Sequence, residues 1–343
     1  MVGKRKLALI LCSALIGCSL IGCSLIGCSN GSGSKSTSVS SNKSEIKKIG
    51  VIQLIQHDAL DSANKGFFDG LKELGYEEGK NIKVEQQNAQ GEIANAQTVA
   101  TQFANDKKDL IFAIATPAVQ ATYNVTKDIP IVFTAVTDPV VAEIAKDWRN
   151  SGNNVTGTSD KVPVDKQLNL LKELIPTAKT VGIIYNTSEA NSLVQVSEFK
   201  EEALKQGLDV KEIGVTNVNE INQNLTNALK SIDVLYTPTD NTIASGYALI
   251  GQICLSSNIP IIGAEEAVVD KGGLASIGID YYKLGKETAT KAVEIFEGKA
   301  PSDVEITTLS EMSFTINTDV ASKLNIKIPE EIDKNAKKVT GGI

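Results

Sequence analysis

Short apolar runs alternate along the chain with longer stretches in which apolar residues recur every three or four positions. Runs of about four to eight apolar residues are typical of buried strands, and the wider spacing is typical of amphipathic helices. In the first half the predicted strands are 49–54, 82–86, 110–115 and 131–136, and the predicted helices are 59–74, 92–105 and one that starts at Pro117. This alternation indicates an α/β fold with parallel sheets and helices on both faces.

The second half of the chain repeats the plan of the first. The segment 180–184 resembles 48–52, the strand 233–237 with Pro238 resembles 110–116 with Pro117, and 259–262 resembles 129–132. Each pair alone is weak evidence, but the three pairs occur in the same order. We therefore expect two similar Rossmann-like lobes, the second beginning near Val162.

One further unit follows the second set of strands, with a predicted strand at 273–280 and a predicted helix at 282–297. Because connections between elements are short, we expect this unit to cross back to the first lobe. The expected N-terminal lobe is then 46–160 plus about 279–304, and the expected C-terminal lobe is 161–278 plus about 305–335. Several connections between the lobes would form a hinge beside a cleft.

The start of the chain has the pattern of an export signal. A basic MVGKRK segment precedes the apolar run 7–16, and three tandem copies of LIGCS cover 15–29. A basic region, an apolar region and small residues in this order are typical of a signal peptide. Leu-Ile-Gly-Cys also resembles the lipobox of bacterial lipoproteins, whose cysteine is joined to diacylglycerol. We expect a signal over 1–28, with cleavage before Cys18, Cys23 or Cys28 and acylation of that cysteine.

An alternative is a transmembrane anchor, since 7–27 is about long enough to span a bilayer. The repeated Gly-Cys-Ser steps favour the lipoprotein signal. Residues 29–45 are nearly all small or polar, which predicts a flexible tether. With either anchor, the remainder of the chain is expected on the extracytoplasmic face of the cell membrane.

The charge of the chain argues against nucleic acid as a partner. Removal of Lys4, Arg5 and Lys6 with the signal lowers the 34 basic residues to 31 against 41 acidic ones, a net charge of −10. Such a surface would repel a phosphate backbone. Four of the five cysteines lie in the signal, and the fifth, Cys254, sits in an apolar run and is interpreted as a buried core thiol.

Ligands bind beyond the carboxyl ends of strands in open parallel sheets, so the residues that follow each strand are the candidate ligand contacts. These candidates are His57, Asp58, Thr116, Pro117, Thr137, Asp138, Ser188, Glu189, Asn191, Ser192, Asp240, Asn241, Gly263, Glu265 and Asp280. Many are also good helix caps, and that structural role is an alternative for each of them. Their convergence on one gap between facing lobes favours binding.

A gap of this kind suits a small zwitterion. Its carboxylate would lie at a helix N-terminus, for which the turn 186–192 offers donors. Its ammonium would need an acid, and the candidates are Asp138, Asp240, Glu265 and Asp280. The apolar residues that could flank a ligand side chain, or belong to the core, are Phe133, Tyr185, Tyr236, Tyr281 and Pro117.

Six segments resemble one family in order along the chain: IGVIQLIQHDALD, DLIFAIATPAVQA, IPIVFTAVTDP, IIYNTSEANS, YTPTDNT and IDYYKLG. They are similar to segments of substrate-binding lipoproteins of ABC importers of the tryptophan- and tyrosine-binding type, over about 47–329. The resemblance implies a type I periplasmic-binding-protein fold, a cleft that closes on one ligand, and a permease with its ATPase as partners. It also implies an aromatic amino acid as ligand. His57-Asp58 departs from the His-Pro expected there, and the extra carboxylate could alter selectivity.

An enzyme or a regulator on the same scaffold is the alternative to a binding protein, and other amino acids, nucleosides or sugars are alternative ligands. The sequence has one histidine and lacks a G-x-S-x-G elbow, a His/Cys metal cluster and a G-x-x-x-x-G-K-[ST] phosphate loop. A repressor would carry a helix-turn-helix where this chain has its signal. We therefore expect a monomeric binding protein with no catalytic residue, cofactor or metal.

Overall fold

A computed structural model describes residues 46–342. The predicted signal, the three candidate acylation cysteines and the tether at 29–45 lie outside these residues. None of the helices between residues 46 and 342 is long and apolar enough to cross a membrane.

The first lobe forms at the places that the apolar runs predict. Its elements up to the first connection are Lys47–Gln53 (β1), Asp58–Glu73 (α1), Ile82–Asn88 (β2), Ile93–Asn105 (α2), Leu110–Ile114 (β3), Thr116–Val125 (α3), Ile131–Thr134 (β4) and Val155–Ser159 (β5). Strands β3 and β4 are apolar almost throughout and wholly buried, because helices cover both faces of the sheet. The hydrophobic pattern predicts no strand at β5, since its sequence VTGTS has a single large apolar residue.

The second lobe has the same alternation. Its elements are Val164–Leu174 (α4), Thr180–Asn186 (β6), Ala190–Lys205 (α5), Asp209–Val215 (β7), Ile221–Ala228 (α6), Val234–Thr237 (β8), Asn241–Ser245 (α7), Tyr247–Ser256 (α8), Ile261–Gly263 (β9), Ala267–Asp270 (α9) and Ala275–Gly278 (β10). The remaining elements are Tyr281–Phe296 (α10), Thr307–Thr308 (β11), Ser313–Asn317 (β12), Thr318–Lys323 (α11), Glu330–Asn335 (α12) and Lys337–Val339 (β13).

Two sheets form, one in each lobe. The strand order is β11-β5-β4-β3-β1-β2 in the first sheet and β13-β12-β10-β9-β8-β6-β7 in the second. Adjacent strands are parallel except for β10 and β12, which are antiparallel. The chain passes between the sheets three times, after β5, after β10 and after β11. The predicted class of two α/β lobes joined by several connections is therefore confirmed.

The final passage to the second lobe comes later than the expected boundary at about residue 304. Thr307 pairs with Thr158 and Thr308 pairs with Ser159, so β11 lies at the edge of the first sheet. The second sheet also extends past residue 335, because β13 pairs with β12. Strands of two or three residues are too short to produce a hydrophobic period that sequence reading could detect.

Helix α10 belongs to the first lobe because it packs tightly against α1. A Cβ atom on Gly285 would lie only 2.0 Å from the carbonyl oxygen of Ala63, and one on Gly66 would lie 2.1 Å from that of Tyr282. Only glycine allows two helix backbones to approach this closely. The contact fixes the chain directly after the second connection, where Asp280 precedes α10.

Each lobe has its own apolar core. In the first, Phe67 of α1 stacks on Phe112 of β3 with ring centroids 3.8 Å apart. In the second, Phe199 of α5 stacks on Tyr236 of β8 at 4.1 Å. Cys254 is fully buried there and burial raises the pKa of its thiol to about 12, so it is the core residue that the sequence predicts.

Candidate functional site

The candidate site lies between the lobes, where the carboxyl ends of strands from both sheets meet. His57, which follows β1, has its Nε2 atom 3.4 Å from Oδ1 of Asn241, which follows β8. Pro117 at the start of α3 lines a cavity of about 30 Å³ with Glu189 and Thr242 of the second lobe. This edge of a parallel sheet is where ligands bind in general.

Ten buried side-chain polar atoms have no hydrogen-bond partner within residues 46–342, and six of them belong to residues that follow strands of the two lobes or lie next to such residues. They are His57 Nδ1 and Thr116 Oγ1 in the first lobe, and Asn191 Oδ1, Thr237 Oγ1, Tyr247 Oη and Glu265 Oε2 in the second. The Thr237 and Tyr247 hydroxyls are neighbours but do not reach hydrogen-bond geometry. A buried polar atom left unpaired costs about 1–3 kcal/mol. These six atoms therefore indicate a place where a polar ligand could supply the missing partners.

Four buried acids surround this region: Asp160, Glu189, Asp240 and Glu265. Burial raises the pKa of Asp160 and, more strongly, that of Glu265. Burial and the nearby Glu189 carboxylate raise the pKa of Asp240 to about 8, although its hydrogen bonds favour the ionised form. The charges that act on Glu265 come from the other three acids and have the same sign, so a cation placed among them would be stabilised.

Two of these acids are fully engaged in holding loops of the second lobe. Asp240 accepts hydrogen bonds from the backbone N–H groups of Asn186 and Ile243 and from the hydroxyl of Ser192, at 2.6–2.9 Å. Glu189 accepts from the side chain of Asn241 and from the backbone and hydroxyl of Thr242. Both carboxylates thus stabilise the start of α7 and the turn before α5.

Glu265 differs from them in its surroundings. It follows β9 and is only 2% exposed, yet its Oε2 atom accepts no hydrogen bond in the part of the chain that the structure describes. Among the acids that the sequence proposes as ammonium partners, it is the one with a buried oxygen that accepts no hydrogen bond within residues 46–342. Asp138 instead forms an ion pair with Lys161 at 3.1 Å, and Asp280 accepts from the backbone of Lys283 as the cap of α10.

Several other predicted contacts also have different surroundings from those expected. The Asp58 side chain is 62% exposed and forms an ion pair with Lys271 at 3.3 Å. Ser188 is exposed and its hydroxyl donates to Asn186, so the turn 186–192 is closed on itself. Asp58 and Asp280 nevertheless line a second cavity between the lobes, together with Glu266. The other candidates that the structure brings together in or beside the gap are His57, Thr116, Pro117, Thr137, Ser188, Glu189, Asn191, Ser192, Asp240, Asn241, Gly263 and Glu265.

The aromatic candidates divide between the core and the gap. Phe133 and Tyr236 are buried in the lobe cores, and the Tyr185 hydroxyl donates to Glu212 at 2.7 Å. Tyr281 lies beside the gap, because its hydroxyl donates to Asp160 at 2.8 Å and it lines a cavity with Asp58 of the first lobe and Glu266 of the second. Of the two roles that the sequence leaves open for these residues, the core role is the one observed for Phe133, Tyr236 and Tyr185, whose rings complete the second-lobe sheet packing or the first-lobe core.

The sequence pattern does not identify two residues of the site, Asp160 and Tyr247. Asp160 follows β5 and accepts hydrogen bonds from Thr137 at 3.1 Å and from the Tyr281 hydroxyl at 2.8 Å, which ties the first two connections together. Asp160 follows a strand, as the other candidates do, but β5 has no apolar run and is therefore not predicted from the sequence. Tyr247 starts α8 inside an apolar stretch, and nothing in its sequence context distinguishes it from core. No group of three or more His, Cys, Asp or Glu side chains in residues 46–342 is arranged to hold a metal.

Comparison with known proteins gives close relatives over nearly the whole chain. The tyrosine-binding protein of Clostridioides difficile (strain R20291) is 44% identical over 327 residues, covering 95% of this chain and 94% of the relative. A solved ABC domain from Streptococcus pneumonia in complex with L-Trp is 39% identical, with a TM-score of 0.83, and covers 86% of this chain and 99% of its own. A ligand-free, open substrate-binding protein with adhesive properties from Clostridium difficile is 47% identical over 86% of this chain and 99% of its own, with a TM-score of 0.67. The overall structural similarity is thus higher to the L-Trp complex than to the open structure.

Two α/β lobes around a buried polar gap define a type I periplasmic-binding-protein fold. The model of the ABC transporter substrate binding protein family matches residues 48–340, and the chain belongs to that family. It is thus an extracytoplasmic substrate-binding protein of an ABC transporter, a role that implies a permease as partner.

Proposed function

We propose that the protein binds an aromatic amino acid between its lobes and delivers it to the permease of an ABC importer. Tryptophan, tyrosine and phenylalanine are the candidate ligands. The names of the relatives support this class, since one is a tyrosine-binding protein and another was solved with L-Trp.

The observation that carries the proposal is the buried, unpaired carboxylate oxygen of Glu265. Three acids raise the local negative charge around it, so an ionised Glu265 is favourable only when a cation is adjacent. An α-ammonium group supplies that charge together with three N–H donors. A neutral sugar or nucleoside would leave the cluster of acids uncompensated.

The start of α3 supports a place for the ligand carboxylate. Thr116 begins this ten-residue helix, is buried, and has an Oγ1 atom without a partner in the described chain. Free backbone N–H groups and the helix dipole favour an anion at such a position. The rings of Tyr247 and Tyr281, both close to Glu265, could then flank the ligand.

Binding without chemical conversion completes the proposed mechanism. The ligand contacts both lobes and stabilises the closed arrangement through its higher affinity for it. A lipid anchor on Cys18, Cys23 or Cys28 would keep the protein beside its permease. The tandem LIGCS segments and the polar tether support this anchor, and they precede the described residues.

Calorimetry against the twenty amino acids, with nucleosides and sugars as comparisons, tests the proposal on the full chain purified in detergent. We expect stoichiometric binding of at least one aromatic amino acid, and native mass spectrometry should recover that ligand unmodified. Binding of only a nucleoside or a sugar, or conversion of the ligand, would contradict the proposal.

A further inference from the structure

His57 is a buried basic residue in the gap. The proposed contacts to the ammonium and carboxylate groups of the ligand do not involve it. It follows β1 in the first lobe and is 8% exposed. Its Nε2 atom meets Asn241 across the gap, while its Nδ1 atom has no partner among residues 46–342. One ring nitrogen therefore has a hydrogen-bond partner in the protein, and the other is available to a ligand.

The hydrogen bonds around Asn241 assign the protons of this ring. The Asn241 amide nitrogen donates to Glu189 Oε2 at 2.5 Å, so the oxygen of the amide is the atom that faces His57. An amide oxygen accepts only, which places the imidazole proton on Nε2. Burial lowers the pKa of His57 and keeps the ring neutral. The Nδ1 atom is consequently a buried lone pair that needs a hydrogen-bond donor.

The strand order separates His57 from the proposed ammonium partner. Asn241, which His57 contacts, follows β8, whereas Glu265 follows the adjacent strand β9. Neighbouring strands lie about 4.8 Å apart, so these contacts meet different parts of a ligand that spans the gap. The neutral acceptor Nδ1 of His57 suits a donor O–H or N–H group on a neutral side chain of the ligand.

We propose that His57 Nδ1 accepts a hydrogen bond from the ligand's ring, from a phenol O–H or an indole N–H, and so selects tyrosine or tryptophan over phenylalanine. The inference rests on the proposed function, because it assumes an aromatic amino acid between the lobes. Phenylalanine would bury Nδ1 without a donor. The resulting loss corresponds to about a 10- to 100-fold weaker affinity.

Two substitutions separate the nitrogens of His57. In His57→Asn the amide oxygen can replace Nδ1 as acceptor, whereas in His57→Gln the longer amide reaches the Nε2 position and keeps the donor to Asn241. Calorimetry with L-tyrosine, L-tryptophan and L-phenylalanine should show the preference in the wild type and in His57→Asn. In His57→Gln we expect the affinity for tyrosine or tryptophan to fall about 10- to 100-fold to that of phenylalanine, which should itself change little. Circular dichroism checks that both variants fold.

Equal affinity of the wild type for phenylalanine, tyrosine and tryptophan would overturn this inference and leave the proposed function standing. An equal loss for all three ligands in His57→Gln, or loss of the preference in His57→Asn as well, would also overturn it. In either case Nδ1 would not accept a hydrogen bond from the ring of the ligand. Absence of binding by all three would overturn both the inference and the proposed function.

Discussion

Asp240 and Glu265 illustrate what residue identity alone can predict. Both are acids that follow a strand of the second lobe, and the sequence proposes both as ammonium partners. Asp240 accepts hydrogen bonds from residues 48 and 54 positions away, whereas Glu265 Oε2 accepts none in the described chain. The choice between a structural and a binding role is therefore made by contacts distant in sequence, which local spacing does not encode.

The structural role of Asp240 gives a prediction about stability. Asp240→Ala should lower the free energy of unfolding by about 2 kcal/mol, because it removes a helix cap and leaves buried donors unpaired, although it also relieves repulsion from Glu189. Urea unfolding followed by circular dichroism measures the change. Asp280→Ala is the matched control, since Asp280 caps α10 in the same way but is half-buried, and should cost about 1 kcal/mol. Equal losses in the two variants would contradict the role assigned to Asp240.

At the scale of elements, the hydrophobic pattern predicts strands and helices that bury many apolar residues. Helix α1 is predicted at 59–74 and observed at Asp58–Glu73, because its buried residues recur at helical spacing. Strands β5 and β11 have mainly Thr, Ser and Gly and give no such signal. The hydrophobic pattern also does not predict the close contact of α1 with α10, since this contact depends on two glycines more than 200 positions apart.

That helix contact is open to a direct test. Gly285→Ala should favour an isolated helix by about 1 kcal/mol, yet its Cβ would overlap the Ala63 carbonyl oxygen at 2.0 Å. The overlap should dominate and destabilise the protein by about 2 kcal/mol or more, seen as a lower thermal midpoint. Lys283→Ala on the same helix changes a side chain that is 59% exposed and should have little effect. A stabilised Gly285→Ala would show that the helices do not approach this closely.

For the whole molecule, the repeated order of segments predicts two α/β lobes and a cleft, and both are present. The way the lobes meet is set by contacts such as His57 with Asn241, which are 184 positions apart, and no repeat specifies them. The sequence thus places polar residues at the correct edge of each sheet. Which of them remain unpaired there is decided only when the lobes come together.

Our central claim is that Glu265 binds the ammonium group of an amino acid between the lobes. The most direct measurement is calorimetry of the preferred aromatic amino acid with Glu265→Gln, which keeps the shape of the side chain and removes its charge. We expect affinity to fall about 100-fold, because a buried charged partner of the ligand is lost. The control Glu330→Gln alters an acid that is 83% exposed on α12 and should bind as the wild type does. Wild-type affinity in a folded Glu265→Gln protein would contradict the claim.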